Sequence, residues 1–356
     1  MSGRIAFSLF GVLAIAGLAL LWSFGCDDKP TEHLATEPTE PRDYAAYFCN
    51  NLHNEGNSYF AYHPLTNELD SFYLPFENRP VVSADGRSMY IRDNTRNVTA
   101  IVDLDSREII GHLPYGYPIA ASPDGEWLAV YDNGLHLLHS CAYREVFYDS
   151  SLAGGVFSRN SLRFYGAPKA GGVYRLDLSR PPFSVTRRSL PFGMVTDLAP
   201  SPDESRLYLY LQSRSWDHYF VVLDWDRDSL IFTHYFWPGF GSLEAALDGH
   251  YVFYTNAGTM MGSTPGAPWV MVYDARRNVA APVITTVGIL DSPFVQGALL
   301  DEMCVTPDGR WLVVLSAKSY PFVLTVDIER MAIAHYVKFP DEIFPFFEGL
   351  ACQSGW

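Results

Sequence analysis

The feature that most constrains this chain is a short turn that keeps returning. It reads Val82-Ser83-Ala84-Asp85-Gly86-Arg87, then Ala121-Ser122-Pro123-Asp124-Gly125-Glu126, Pro200-Ser201-Pro202-Asp203-Glu204-Ser205 and Val305-Thr306-Pro307-Asp308-Gly309-Arg310. Weaker copies stand at Phe157-Ser158-Arg159-Asn160-Ser161 and Ala246-Leu247-Asp248-Gly249-His250. The chemistry is that of a tight hairpin: Pro pre-sets φ at the first central position, Asp suits the second, and Gly accepts the left-handed conformation that closes the loop. Each copy follows a short strand of small or apolar residues and precedes a run such as Trp311-Leu312-Val313-Val314-Leu315. Further along each unit an aliphatic strand ends in Asp, with a basic residue a few places on: Asp103 and Arg107, Asp177 and Arg180, Asp224 and Arg227, Asp274 and Arg277, Asp327 and Arg330.

Four short strands per unit, with turn chemistry in fixed order, are the signature of a β-propeller. Six hairpins supply six blades. The seventh is expected from the two ends: three strands around Tyr44–Cys49, Ser58–His63 and Ser71–Leu74 lack an inner partner, and Phe347 to Gln353 resembles it. Closing the ring this way removes an open edge that would invite aggregation. The Ser-Pro-Asp-Gly hairpin, followed by a strand ending in Val-Asp and a turn, resembles the YVTN-type repeats of bacterial seven-bladed propellers. The resemblance covers about residues 44–356 and implies the fold; the family hosts many roles, so it implies no activity. The expected class is therefore all-β.

Forty acidic against twenty-five basic side chains give a net charge of −15. Nucleic-acid binding needs clustered cations to neutralise phosphates, so no nucleic-acid partner is expected. The N-terminus reads as a targeting segment. Arg4 precedes an apolar stretch from Ile5 to Phe24, and Ser23-Phe24-Gly25-Cys26 resembles a bacterial lipobox. Three readings fit: residues 1–25 are a signal segment and Cys26 carries the lipid, or the apolar stretch remains as an uncleaved anchor, or it is a buried core helix. The first is the leading one. Residues 26–43 hold the anchoring Cys and a Pro/Thr/Glu-rich spacer without apolar periodicity, and residues 44–356 form the propeller. The domain is thus expected outside the cytoplasm of a bacterial cell, tethered in the envelope and monomeric.

The remaining cysteines give little chemistry. Cys49 and Cys352 fall in the shared blade, but register sets them roughly 17 Å apart along the strands, too far for a disulfide. Cys141 and Cys304 read as small packing residues. His136 and His139 stand three apart on a strand, where their rings diverge, and no inner strand carries a His; no metal is assigned. Asp224 to Asp228 opens like a calcium loop but has Ser229 and Tyr235 where Gly and Glu are needed. Gly-x-Ser-x-Gly, a phosphate-cradling Gly-rich loop and a haem-attachment motif are absent, so no catalytic residue and no cofactor is assigned.

Propeller ligands usually meet the face built from the loops leading into each inner strand. Here those loops hold Tyr115, Tyr117, Phe192, Trp237, Phe240, Phe294 and Phe346, next to the acids Glu244, Asp301, Glu302 and Glu348. Such a set suits a cationic or sugar-like group or a protein surface. Aromatics after Pro also wedge between blades, and packing is the larger expected share of their work. The insertion from Asn256 to Pro268 lies on the same face. The leading expectation is a non-catalytic binding or scaffold module for an envelope protein or small ligand. The alternative is a lactonase-like hydrolase holding a divalent metal through mouth carboxylates.

Overall fold

The computed structural model describes residues 44–356 apart from 51–56, 77–78, 192, 214, 216, 237–240, 257–268, 286–298, 319–321, 340–346 and 353–356. The apolar segment, Cys26 and the spacer lie outside the described residues. The described residues form seven four-stranded antiparallel sheets. Blade 1 joins both ends of the domain: β28 (Phe347–Cys352) is its inner strand, beside β1 (Ala46–Asn50), β2 (Asn57–His63) and β3 (Glu68–Leu74). Blade 2 is β4 (Val81–Val82), β5 (Ser88–Asp93), β6 (Val98–Asp103) and β7 (Ile109–Leu113); blade 3 is β8 (Tyr117–Ala121), β9 (Trp127–Tyr131), β10 (Leu135–His139) and β11 (Arg144–Asp149). Blade 4 is β12 (Leu152–Phe157), β13 (Arg163–Pro168), β14 (Val173–Asp177) and β15 (Ser184–Arg188). Blade 5 is β16 (Met194–Pro200), β17 (Arg206–Gln212), β18 (His218–Asp224) and β19 (Ser229–Phe236). Blade 6 is β20 (Leu243–Ala245), β21 (Tyr251–Asn256), β22 (Trp269–Asp274) and β23 (Val279–Thr285); blade 7 is β24 (Leu299–Val305), β25 (Trp311–Lys318), β26 (Phe322–Asp327) and β27 (Ala332–Lys338). The chain is a seven-bladed β-propeller whose ring closes where Ala46 faces Cys352 and Tyr47 faces Ala351.

Face-to-face stacking of blades explains the strand composition. Middle strands are covered on both sides, so β26 is buried along its whole length and β17 at every position but its ends; the outer strand β3 is mostly exposed. The buried side chains fall into seven apolar clusters, each shared by two adjacent blades. The closing interface is packed like the others: Ala46, Phe48, Phe60 and Tyr62 of blade 1 meet Val313, Leu315, Val323 and Phe339 from blade 7. Phe76 is one of the expected wedges, buried between Cys49, Tyr59 and Leu74 on one side and Met89, Ile91 and Ala100 on the other.

The hairpins obey their chemistry. Ser83 Oγ donates to Asp85 (2.6 Å) and accepts the Ser88 N–H (2.9 Å), and Ser122, Ser201 and Thr306 do the same in their own blades. Gly249 has a φ of +68°, and a Cβ there would meet Pro202 of blade 5 at 2.9 Å, so the tips also touch around the ring. At this same turn position blade 5 has Glu204, with φ 58°. Its side chain is 3 % exposed, ion-pairs with Arg163 of blade 4, itself a third exposed, and accepts the Tyr165 hydroxyl at 3.2 Å. Glu204→Ala should therefore cost about 2–3 kcal/mol, the loss from a largely buried pair reduced for the exposure of Arg163. Glu204→Gly removes the same pair but relieves about 1 kcal/mol of left-handed backbone strain, so its loss should be smaller; chemical denaturation of both variants checks the order.

Two cysteine expectations need correction. Cys304 is not a free packing residue: it forms a disulfide with Cys352, Cα–Cα 5.9 Å, 48 residues apart. β24 and β28 are the inner strands of adjacent blades, so the two cysteines meet across a blade junction and not within one sheet. Cys141 too is disulfide-bonded and stands exposed in the turn between β10 and β11, so it is not a core packing residue. Cys49 is buried and has no disulfide.

Candidate functional site

The inner strands surround a central channel of about 370 Å³. Side chains alternate along a strand, so counting back two residues from each hairpin Ser, or its equivalent, gives one tier of the channel wall. That tier is Val81, Ala120, Val156, Ala199, Cys304 and Ala351, with Glu244 as its one ionisable member. Two residues further back stand Arg79 of blade 2, Asp197 of blade 5, Ser242 of blade 6 and Glu302 of blade 7. The register of β16 and β24 shifts immediately before the acid, between Val195 and Asp197 and between Leu300 and Glu302. Such bulges bend a strand and re-aim its side chain.

The three acids share one task. Asp197 Oδ2 accepts the Leu243 N–H of the next blade at 2.7 Å, while Oδ1 accepts the N–H of Leu198 at 2.9 Å. Glu244 accepts the Val305 N–H of the next blade. Glu302 Oε2 accepts the Leu350 N–H of blade 1 at 2.8 Å. Each carboxylate thus fastens its own inner strand to the following one, across three successive blade junctions. Arg79 adds a fourth tie, its guanidinium 2.5 Å from Glu302 Oε2, joining blade 2 to blade 7. At the hairpin end of the channel Arg159 of blade 4 donates to the Leu247 carbonyl of blade 6.

The surroundings set the charge of these groups. Burial raises the Glu244 carboxyl to about 8, the nearby Asp197 adds to the rise, and the Val305 N–H opposes it. Burial likewise lifts Asp197 to about 6, against the pull of the Leu243 N–H and of Arg79. Both side chains keep contact with the channel space and are half-buried, yet protein atoms fill most of the volume around them. At neutral pH Glu244 is therefore mainly a neutral acid and Asp197 mainly a carboxylate. Among the described residues no three His, Cys, Asp or Glu side chains stand together as a metal would require.

The expected mouth residues are distributed unevenly. Tyr115 is half-buried against His136 (ring centroids 4.9 Å apart) and its hydroxyl lies 3.3 Å from Glu145. Tyr117 is 42 % exposed and carries the Arg92 guanidinium on its ring at 3.5 Å. Glu244 lines the channel and, like Glu302, interacts with Asp197, whereas Glu348 is placed by its backbone alone, opposite Cys49. Phe192, Trp237, Phe240, Phe294, Phe346 and the insertion after Asn256 lie outside the described residues. His136 and His139 diverge as their spacing requires, one against Tyr115 and Tyr148, the other against Trp127. Asp224 simply caps its turn, accepting the Arg227 N–H at 2.9 Å, with Trp225 buried behind it.

Asp197 and Arg79 were missed. Their signal was positional: Asp197, Glu302 and Arg79 each stand four residues before the hairpin Ser or Thr of their blades.

No protein-family model matches the chain, and no curated protein matches it. Solved structures do. A functionally unknown protein from Desulfotomaculum acetoxidans superposes with a TM-score of 0.62 at 10 % identity, covering 87 % of this chain and 99 % of that one. Hydrazine synthase from Kuenenia stuttgartiensis gives 0.57 at 17 %, covering 72 % and 78 %. Dihydro-heme d1 dehydrogenase NirN gives 0.53 at 16 %, covering 89 % and 78 %. At such identities the likeness carries the architecture alone, and that architecture is the seven-bladed β-propeller.

Proposed function

We propose that the chain is a non-catalytic binding module of a bacterial cell envelope, built from YVTN-type repeats and held by a lipid on Cys26 or by its uncleaved apolar segment. Its ligand is a small molecule or a protein engaging the channel mouth. The observation that carries this reading is the engagement of all three channel acids with backbone N–H groups of neighbouring blades. Hydrolysis through a carboxylate-held metal needs those oxygens to converge on one point, and here each is drawn to a different strand. A channel of about 370 Å³ with a largely apolar tier and a few polar groups suits holding a small ligand.

Native mass spectrometry with metal analysis, on the full chain extracted gently from its host envelope, tests this. A stoichiometric organic adduct without metal is the expected result, and the mass of the chain reads whether Cys26 carries the lipid or residues 1–25 remain. One divalent metal per chain, lost in Glu244→Gln and Glu302→Gln, would overturn the reading in favour of a hydrolase.

A further inference from the structure

Charge is spread very unevenly around this ring. Blade 4, residues 152–188, holds seven basic side chains and a single acid, Asp177, a net of +6 in a chain of net −15. Every other blade is acidic on balance. Part of this excess is matched from the neighbours: Arg163 pairs with Glu204, Arg187 with Asp149 and Arg188 with Asp228. Lys169 and Arg175 turn to the neighbouring blades, the first donating to the Asn133 carbonyl at 2.9 Å and the second lying over Trp225 at 5.0 Å, while Arg180 forms no ion pair with a carboxylate among the described residues. Arg187 holds Asp149 at 3.2 Å and donates to Ser151 Oγ at 2.7 Å, yet its side chain is 53 % exposed, so this surface pair contributes little and can be exchanged for another carboxylate.

The placement is linear. Arg180 lies in the turn that leads into the outer strand β15, Arg187 and Arg188 end that strand, and Arg188 faces Val173, just after the turn that carries Lys169. The cations therefore run the length of the strand, roughly 16 Å at the usual rise. β15 is the last strand of its sheet, so its outer edge has no strand beside it. It is also the one outer strand with two basic residues and no acid: β3 carries Glu68 and Asp70, β11 mixes both signs, β27 has Lys338 alone, and β7, β19 and β23 have none.

We propose that the outer edge of blade 4 is a docking strip for an acidic polypeptide segment in extended conformation, which adds beside β15 as a fifth strand. An open edge offers backbone hydrogen bonds, and acids of the segment meet Arg180 and Arg187 at the two ends of β15. The acidic blades on either side repel the same segment, which confines it to this strip. The strip is remote from the channel acids in the fold, and the inference stands independently of what the channel holds.

The test uses the full chain in mild detergent and a fluorescein-labelled ten-residue peptide of alternating glutamate and threonine, read by anisotropy. Binding at low salt that weakens at least about tenfold at 300 mM salt is expected. Arg180→Glu with Arg187→Glu should abolish it, Arg180→Ala with Arg187→Gln should weaken it, and Lys338→Glu on blade 7 should leave it unchanged. Circular dichroism melting confirms that each variant is folded. Equal binding by the charge-reversed variant, by a lysine version of the peptide, or by a peptide with N-methylated alternate amides would overturn the proposal. So would absence of peptide binding alongside capture by phosphatidylglycerol vesicles, which would make the strip a membrane contact.

Discussion

Glu244→Gln is expected to raise the melting temperature by several degrees at pH 8.5 and to change it little at pH 5. The Glu244 carboxyl is raised from 4.5 to about 8 in the folded chain. A group raised in this way stabilises the fold fully below its unfolded value, and that contribution is lost as pH climbs toward and through 8. Ionising it costs the fold about 5 kcal/mol as an upper figure, less what channel water returns. Asp197, raised to about 6, acts in the same direction one step earlier. The turn aspartates act oppositely: Asp177, Asp203 and Asp274 are held below the usual carboxylate range by N–H and hydroxyl donors or by nearby cations, and lose their contribution as pH falls through their folded values. Stability should thus peak near pH 5, with an alkaline limb that the glutamine variant flattens. Gln keeps an acceptor for the Val305 N–H and removes only the charge. Calorimetric scans from pH 4 to 9 read both limbs; an alkaline limb unchanged in the variant would show that Glu244 is ionised at little cost.

Deleting residues 347–356 should leave the domain aggregated or unfolded at growth temperature. The deletion removes β28, and with it the ladder to β1, the Leu350 N–H held by Glu302, and the disulfide to Cys304. It also opens the edge of β1 to pairing with other chains. The disulfide alone closes a loop of 48 residues and contributes about 4 kcal/mol in the chain-entropy account. Cys304→Ala with Cys352→Ala is the milder test: it should lower stability by about 2–4 kcal/mol while the ring stays closed. Near-equal melting of the deleted and full chains would contradict closure by the C-terminal strand.

Most of the fold was legible because its information is local. A hairpin that needs Ser, Pro, Asp and Gly in order leaves a mark in four adjacent residues, and each blade repeats it. Even the ring closure could be read, since the unit that began without an inner strand and the segment that ended as one are complementary. The channel was far less legible. Its acids belong to different blades, so what each of them does depends on a register between strands some fifty residues apart. Glu244 looks like an ordinary acid after Leu243 until six neighbouring strands surround it with Val81, Ala120, Val156 and Ala199. Cys304 follows the same rule: its partner Cys352 stands in the adjacent blade, so no pattern within its own blade points to it. The basic strip on blade 4 leaves no run of cations in the sequence, because Arg180 stands seven residues before Arg187 and the two meet only along one strand edge.

The central claim is that the channel acids hold the inner strands to one another. Residue-resolved amide hydrogen exchange on Leu243, Val305 and Leu350, in the native chain and in Glu244→Ala, tests it most directly. The account predicts that all three amides exchange slowly in the native chain, and that the variant accelerates Val305 far more than Leu243 or Leu350. Exchange at loop-like rates in the native chain, or a Val305 amide indifferent to the loss of Glu244, would contradict it.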